Sequence, residues 1–308
     1  MPRLFHKPPA APGGLVSRKQ ALRSASAKLR RASLHYGHGT DNAADDAAAL
    51  LAHALRMKRP LTDADLARPL STSARQRFDS LVSRRISERI PVVYLTNRCW
   101  FAGLPLYVDE RVLIPRSPIA ELVEKRFEPW VDPDRVRRVV DIGTGSGCIA
   151  IACALAFPRA QVDAVDISQD ALAVARMNRR EFGLSRRLRL LESDYFAALG
   201  GRRYDIIVSN PPYVGAAEFG CLPREYAHEP PGALLAGRDG MDAVHVLLRE
   251  AARHLTPEGV LVVEVGNTET RVRRELPQLP FVWLSFARGG GGVFLLTAQQ
   301  LRAAGFGE

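Results

Sequence analysis

Beyond about Arg137 the chain alternates between two hydrophobic periods, and this limits its fold more than any other feature. Short apolar runs, "RRVVDIG", "QVDAVDI", "LRLLES", "YDIIVSN" and "GVLVVEVG", read as strands buried on both faces. Between them lie helical stretches, "GCIAIACALAF", "SQDALAVARMNRREFG" and "MDAVHVLLREAARHL". Such alternation predicts an α/β domain, a mostly parallel sheet covered by helices on both faces. In the tail, "FVWLSFA" and "GGVFLLT" flank a Gly-rich "RGGGG" with no room for a crossover helix. An antiparallel hairpin at one sheet edge is expected there.

Upstream, about Lys19 to Ile90 carries helical spacing and no strand signal. The candidates are "ALRSASAKLRRASL", "DNAADDAAALLAHAL" with Asp41 or Asn42 as N-cap, and "SARQRFDSLVSRRISERI" stopped by Pro91. "WFAGLPLYVDERVLIP", Trp100 to Pro115, reads as a β-hairpin. The expected organisation is a disordered basic tail over 1–16, a helical substrate-recognition domain over 17–95, a hairpin linker over 96–115 and a catalytic domain over 116–308. The carboxylates Asp45 and Asp46 read as helix-surface charge. His38 and His228 read as structural or partner-facing, and Arg116 as substrate-positioning or turn-capping.

Eight Lys/Arg and no acid precede Asp41, part of a net charge of +10. This is either a basic arm making weak RNA contact or a solvated tail. No apolar run is long enough to span a membrane, and no Cys-x-x-Cys or zinc spacing occurs among the four cysteines. Reduced thiols, a cytoplasmic setting and no metal are expected.

Two motifs carry the chemistry. "VVDIGTGSGCIAI" puts Asp141 at a strand end, followed by Gly143, Thr144, Gly145, Ser146 and Gly147 and then a helix. Glycines let backbone approach a ligand closely. The G-x-G-x-G spacing differs from the dinucleotide fingerprint, and an acid beside the turn would repel a pyrophosphate. Asp141 suits an ammonium group instead. Asp166, ending the next strand, suits ribose hydroxyls. After the third strand, Asp194 suits an adenine amino group or a helix N-cap, and Tyr195 suits the ring face. S-adenosylmethionine, a phosphate-free cation, satisfies all of these groups.

The second motif, "SNPPYV", ends the fourth strand. The Asn210 side-chain oxygen and the Pro211 carbonyl can accept both hydrogens of a planar –NH2. Pro211 and Pro212 stiffen the exit, and Tyr213 can stack on the flat group. This selects a conjugated primary amine or amide as methyl acceptor.

"DIGTGSGCIAI", "DAVDIS", "SDYF" and "SNPPYV" together resemble the HemK-like protein-glutamine methyltransferases, from about Ala21 to Thr297. The resemblance implies a class I, Rossmann-like S-adenosylmethionine-dependent methyltransferase domain behind a helical domain and a hairpin. It puts Gly143 to Gly147, Asp166, Tyr195 and Asn210 on cofactor positions, and Asn210 to Tyr213 on the glutamine-binding motif. Tyr195 departs from the tryptophan expected in the release-factor branch. That branch also reads Pro-Arg-Pro-Asp-Thr-Glu where this chain has "IPRSPIAELV". "YGHGTDNAADDA" and "ERIPVVYLTNRCWFAGLPLYVDERVLIPRSPIAEL" are similar to the branch that modifies the third large-subunit ribosomal protein. The implied partner is therefore that protein, free or in an assembling particle. The alternatives are a release factor or an exocyclic adenine amine. An NAD-dependent oxidoreductase is disfavoured by the glycine spacing and the Asn-Pro-Pro-Tyr. A non-catalytic RNA-binding module would leave the methyl-transfer motif without a use.

Overall fold

The computed structural model describes residues 16–307. Two compact units result: one holds the described residues up to Tyr36 with Thr40–Thr96, the other Gly37–Gly39 with the chain from Asn97 onward.

The first unit is helical. Its longer helices are Arg18–Arg31, Ala43–Ala54 and Thr72–Ser87. Each starts on a side-chain cap, Ser17, Asn42 and Ser71 respectively, that satisfies amides the first turn cannot pair internally. Asn42 rather than Asp41 caps the second, accepting from Ala44 N and Asp45 N. The third ends at Ser87, ahead of Pro91, because Arg89 takes a positive φ of 62° and donates to the Ala32 and Ser33 carbonyls. Ala21, Ala25 and Leu29 on the first helix, Ala47, Leu50 and Ala54 on the second, and Ala74, Phe78 and Val82 on the third form apolar stripes at three- and four-residue spacing.

Asp46 does not belong to surface charge. It sits on the buried stripe of its helix, and its carboxylate accepts from the Arg85 Nε at 2.7 Å and from Thr40 Oγ1. Arg85 also donates to the His35 carbonyl at 2.8 Å. A buried charge is tolerable only when paired in this way. The tail expected over 1–16 lies outside the described residues except for Val16. That residue is tied down by the Leu70 amide, 3.0 Å from its carbonyl oxygen.

The second unit opens with β1 (Cys99–Phe101) and β2 (Leu104–Leu106), paired antiparallel across Ala102 and Gly103, which have φ of 48° and 73°. The hairpin is shorter than Trp100 to Pro115. Tyr107 gives its backbone pairing to Asn178, whose side chain accepts from Tyr107 N at 2.8 Å and donates to its carbonyl at 2.9 Å. Asp109 then closes a turn on Arg111.

The main sheet contains β3 (Arg138–Ile142), β4 (Gln161–Asp166), β5 (Leu188–Glu192), β6 (Tyr204–Ser209), β7 (Leu255–Glu264), β8 (Val282–Trp283) and β9 (Val293–Thr297), in the order β5-β4-β3-β6-β7-β9-β8. The first five pair in parallel, and β9 runs antiparallel to both β7 and β8. The expected edge hairpin is present, with β9 inserted beside β7. Successive strand residues point to opposite faces. Val139, Val162, Ile206 and Val262 pack with Ile149, Ile151 and Phe157 on one side. Val140, Val165, Ile207 and Val263 pack with Leu247, Leu248 and Leu301 on the other. The order reverses between β3 and β6, the crevice where open α/β sheets bind ligands. No described helix is long and apolar enough to cross a membrane.

Candidate active site

The crevice is built by the turn after β3 and the chain after β6. Gly143 N and Thr144 N both donate to the Val165 carbonyl at 2.9 Å, pulling the turn back over β4. Gly143, Gly145 and Gly147 have φ of 73°, 54° and 81°, a region that favours glycine. At Gly147 a Cβ would also lie 3.2 Å from the Ala175 Cβ, so the turn and the following helices pack backbone to side chain. Asn178 donates to the Ser146 carbonyl at 2.9 Å, which makes it a support for this turn. Sequence reading missed Asn178, which looks like one polar residue on an amphipathic helix.

Asp141 is buried at the end of β3. One carboxylate oxygen accepts from Thr144 Oγ1 at 2.6 Å and from Ala150 N at 3.1 Å. The other, Oδ1, is buried without a donor. Burial raises its pKa to about 7, against the pull of those two bonds. Asp166 bridges the glycine turn and β4, accepting from Gly145 N at 2.8 Å and Ser168 N at 2.9 Å. Burial raises its pKa too.

Asp194 is exposed, and no helix follows it, so the N-cap role expected as one option is not realised. Ser193 organises that turn instead, accepting from Ala198 N at 3.0 Å and donating to the Tyr195 carbonyl at 2.9 Å. Tyr195 has a positive φ of 46°, and its ring lies against the core formed by Val140, Val165 and Phe196.

At the end of β6, Ser209 donates from Oγ to the Ile142 carbonyl at 2.7 Å, tying the Asn-Pro-Pro-Tyr segment to the strand before the glycine turn. The Asn210 side-chain oxygen is buried and accepts from no described group. No described group donates to the Pro211 carbonyl. Tyr213 is fixed at both ends: its carbonyl accepts from Thr268 Oγ1 at 2.8 Å, and its hydroxyl donates to Glu264 Oε1 at 3.3 Å. Burial, first, and the Glu264 charge push the phenol well above its ordinary pKa. A buried acceptor with no donor costs about 1–3 kcal/mol, so Asp141 Oδ1 and Asn210 Oδ1, both buried without a described donor, point to a ligand.

Two buried glutamates escaped sequence reading. Glu264 ends β7 inside "VLVVEVG", where the lone acid in an apolar run was the available signal. Glu229 accepts from Arg116 at 2.8 Å, from Ile114 N at 3.2 Å, and faces His38 Nε2 at 3.0 Å. Burial pushes its pKa up, but His38 and Arg116 outweigh burial and hold it below the ordinary value. Arg116 also lies over the Tyr226 ring, 5.3 Å from its centroid. His38 and Arg116 are therefore partners of one carboxylate. A surface groove lined by Trp130, Arg135, Asp205 and Glu258 lies at the amino ends of the strands, away from both motifs.

The strand order, the glycine turn after β3 and the acids ending β3 and β4 define a class I methyltransferase, with S-adenosylmethionine as methyl donor. The donor set fits that molecule: a buried Asp141 carboxyl oxygen with no described donor suits its ammonium group, and a carboxylate rather than a basic residue ends β4. Residues 126–220 match the Methyltransferase small domain, and residues 20–96 match the PrmC N-terminal domain. The hMettl16 catalytic domain, solved with the MAT2A 3'UTR hairpin 6, shares the fold at 16% identity and a TM-score of 0.50. That likeness covers 74% of this chain and 82% of the other.

Much nearer relatives are two proteins described as ribosomal protein uL3 glutamine methyltransferase. The one from Bordetella pertussis is 46% identical over 93% of this chain and 97% of its own length. The one from Neisseria gonorrhoeae is 44% identical over 93% and 96%. The chain belongs to this family of protein-glutamine methyltransferases.

Asp166→Ala is expected to weaken binding of S-adenosylmethionine by about 10- to 100-fold, the worth of hydrogen bonds to a charged group. Calorimetric titration checks this, and unchanged affinity would remove Asp166 from the ribose end of the site.

Proposed function

We propose that this chain methylates the side-chain amide nitrogen of a glutamine in ribosomal protein uL3. The single observation that carries the chemistry is the Asn210 carboxamide oxygen, buried at the carboxyl end of β6 with no donor of its own. The names of the relatives support the choice of substrate.

When bound, S-adenosylmethionine supplies an electrophilic methyl group on its sulfonium. Asp141, Gly143, Thr144, Gly145, Ser146, Gly147, Asp166, Asp194 and Tyr195 are proposed to hold it. Asn210 and Pro211 each accept one N–H of the amide, which orients the nitrogen without removing a proton. Pro212 and Tyr213 keep this pair of acceptors rigid. The nitrogen becomes acidic as its new bond forms, so no strong base is required. Holding reactants in line in this way contributes about 7–11 kcal/mol. The helical unit is assigned to substrate recognition. The basic stretch before Asp41 is assigned to weak contact with ribosomal RNA, in the cytoplasm, where subunits assemble.

The test is transfer of labelled methyl from S-adenosylmethionine into a lysate of a strain lacking this gene, followed by mass spectrometry of the labelled protein. The label is expected on one glutamine of uL3. A labelled release factor or nucleic acid would replace the proposed substrate.

A further inference from the structure

The end of β7 and the segment that follows it hold Tyr213 at its carbonyl, its ring and its hydroxyl. Thr268 holds its carbonyl. At Gly266 a Cβ would fall 2.5 Å from a ring carbon of Tyr213, so the ring lies directly against bare backbone. Glu264, two residues earlier, takes the hydroxyl. The second oxygen of Glu264 accepts a short hydrogen bond from Ser117 Oγ. Ser117 in turn accepts from Ile119 N at 3.1 Å, so its one hydrogen is committed to the carboxylate. A hydrogen-bonded chain thus runs from buried Ser117 through buried Glu264 to half-buried Tyr213, three residues beyond the unpartnered Asn210 oxygen.

We propose that Glu264 is a positioning residue for methyl transfer: as a carboxylate it receives hydrogen bonds from Ser117 and Tyr213 together and so sets the Asn210–Tyr213 segment against its acceptor. The inference rests on the methyl-transfer reading above. An ionised carboxylate only accepts, which matches two donors. Once protonated it must donate, and one of the two bonds must reverse. The Tyr213 bond, at 3.3 Å, is the longer of the two, so it is the one that yields. The tyrosine then loses its hold at the hydroxyl end, while Thr268 keeps only its carbonyl, and the rate falls.

The Glu264 pKa is raised to about 6, by burial first, with Ser117, Tyr213 and the Arg116 charge pulling the other way. The charged and titratable groups facing it are Arg116, before the helix Ile119–Glu124, and Tyr213, after β6. Arg116 stays charged, and the buried phenol stays protonated, between pH 5 and 8. The carboxylate is therefore the group that switches. The positioned form prevails above its pKa and is lost as pH falls through it.

The experiment measures kcat from pH 5 to 9 with donor and purified ribosomal protein both saturating, which removes Asp141 and donor binding from the profile. Tyrosine near-UV absorbance of the protein alone is titrated over the same range. The wild type is expected to lose rate and change absorbance with one midpoint near pH 6. Ser117→Ala removes a donor that favours the charged form, so both midpoints should rise by about one pH unit. Glu264→Gln should abolish both transitions and lower kcat about tenfold at pH 8, with the KM for S-adenosylmethionine within about twofold. Midpoints that stay put in Ser117→Ala overturn the proposal, even if Glu264→Gln does not fold. A transition that survives in folded Glu264→Gln overturns it as well. Absence of wild-type transfer with an intact absorbance transition overturns the methyl-transfer reading instead, and the positioning role falls with it.

Discussion

Replacing Asn210 with alanine is expected to slow methyl transfer by about 10²- to 10³-fold, the usual effect of removing one preorganised group that acts on the reacting atoms. Donor affinity should change by less than about threefold, because the proposed partner of the carboxamide oxygen is the acceptor amide. No described group donates to the buried oxygen, so its removal breaks no hydrogen bond among the described residues. The turn itself stays pinned by Ser209 on the Ile142 carbonyl and by Thr268 on the Tyr213 carbonyl. Turnover measured beside calorimetry with S-adenosylmethionine separates the two effects. Equal losses in both would place Asn210 in cofactor binding and leave the amide without its clamp.

The second large effect is on stability. Asp46→Ala is expected to destabilise the protein by about 3–5 kcal/mol, because it leaves a buried guanidinium with its main counter-charge gone. Arg85 keeps the His35 carbonyl at 2.8 Å and the Tyr36 ring 5.7 Å from its carbon centre, which offsets only part of the loss. Replacing Asp46 and Arg85 together with apolar residues of similar volume should recover much of it, since desolvation of both charges then disappears. Denaturant unfolding of the single and double variants checks this. A single variant that loses less than about 1 kcal/mol would show that water reaches the guanidinium.

The reading of the sheet from sequence succeeded where one chemical rule dominated. Runs such as "RRVVDIG" and "YDIIVSN" are too short for helices and too apolar for an exposed face, so their place in a parallel sheet follows. "DIGTGSG" and "SNPPYV" were legible because glycine and proline restrict backbone shape wherever they occur. Asp46 was misread, although its position three residues after Ala43 and four before Leu50 put it on the buried stripe. Its partner is 39 residues away, and no local pattern announces such a pair. The hairpin was drawn too long because alternation continues past Leu106. The side chain of Asn178, 71 residues on from Tyr107, takes up the backbone groups that a longer strand would have used.

By itself the sequence determined the element types, their alternation, and the two motifs whose backbone chemistry is local. It thereby also set the kind of ligand and the kind of acceptor this chain can take. Only the tertiary structure decided which polar atoms are spent on internal bonds and which are left over. Asp166 already accepts two amides, Tyr213 is committed to Glu264, and Asp141 Oδ1 and Asn210 Oδ1 have no described donor. The reason is physical: backbone preferences act between neighbours in the chain, whereas burial and hydrogen-bond pairing act between groups that only folding brings within about 3 Å.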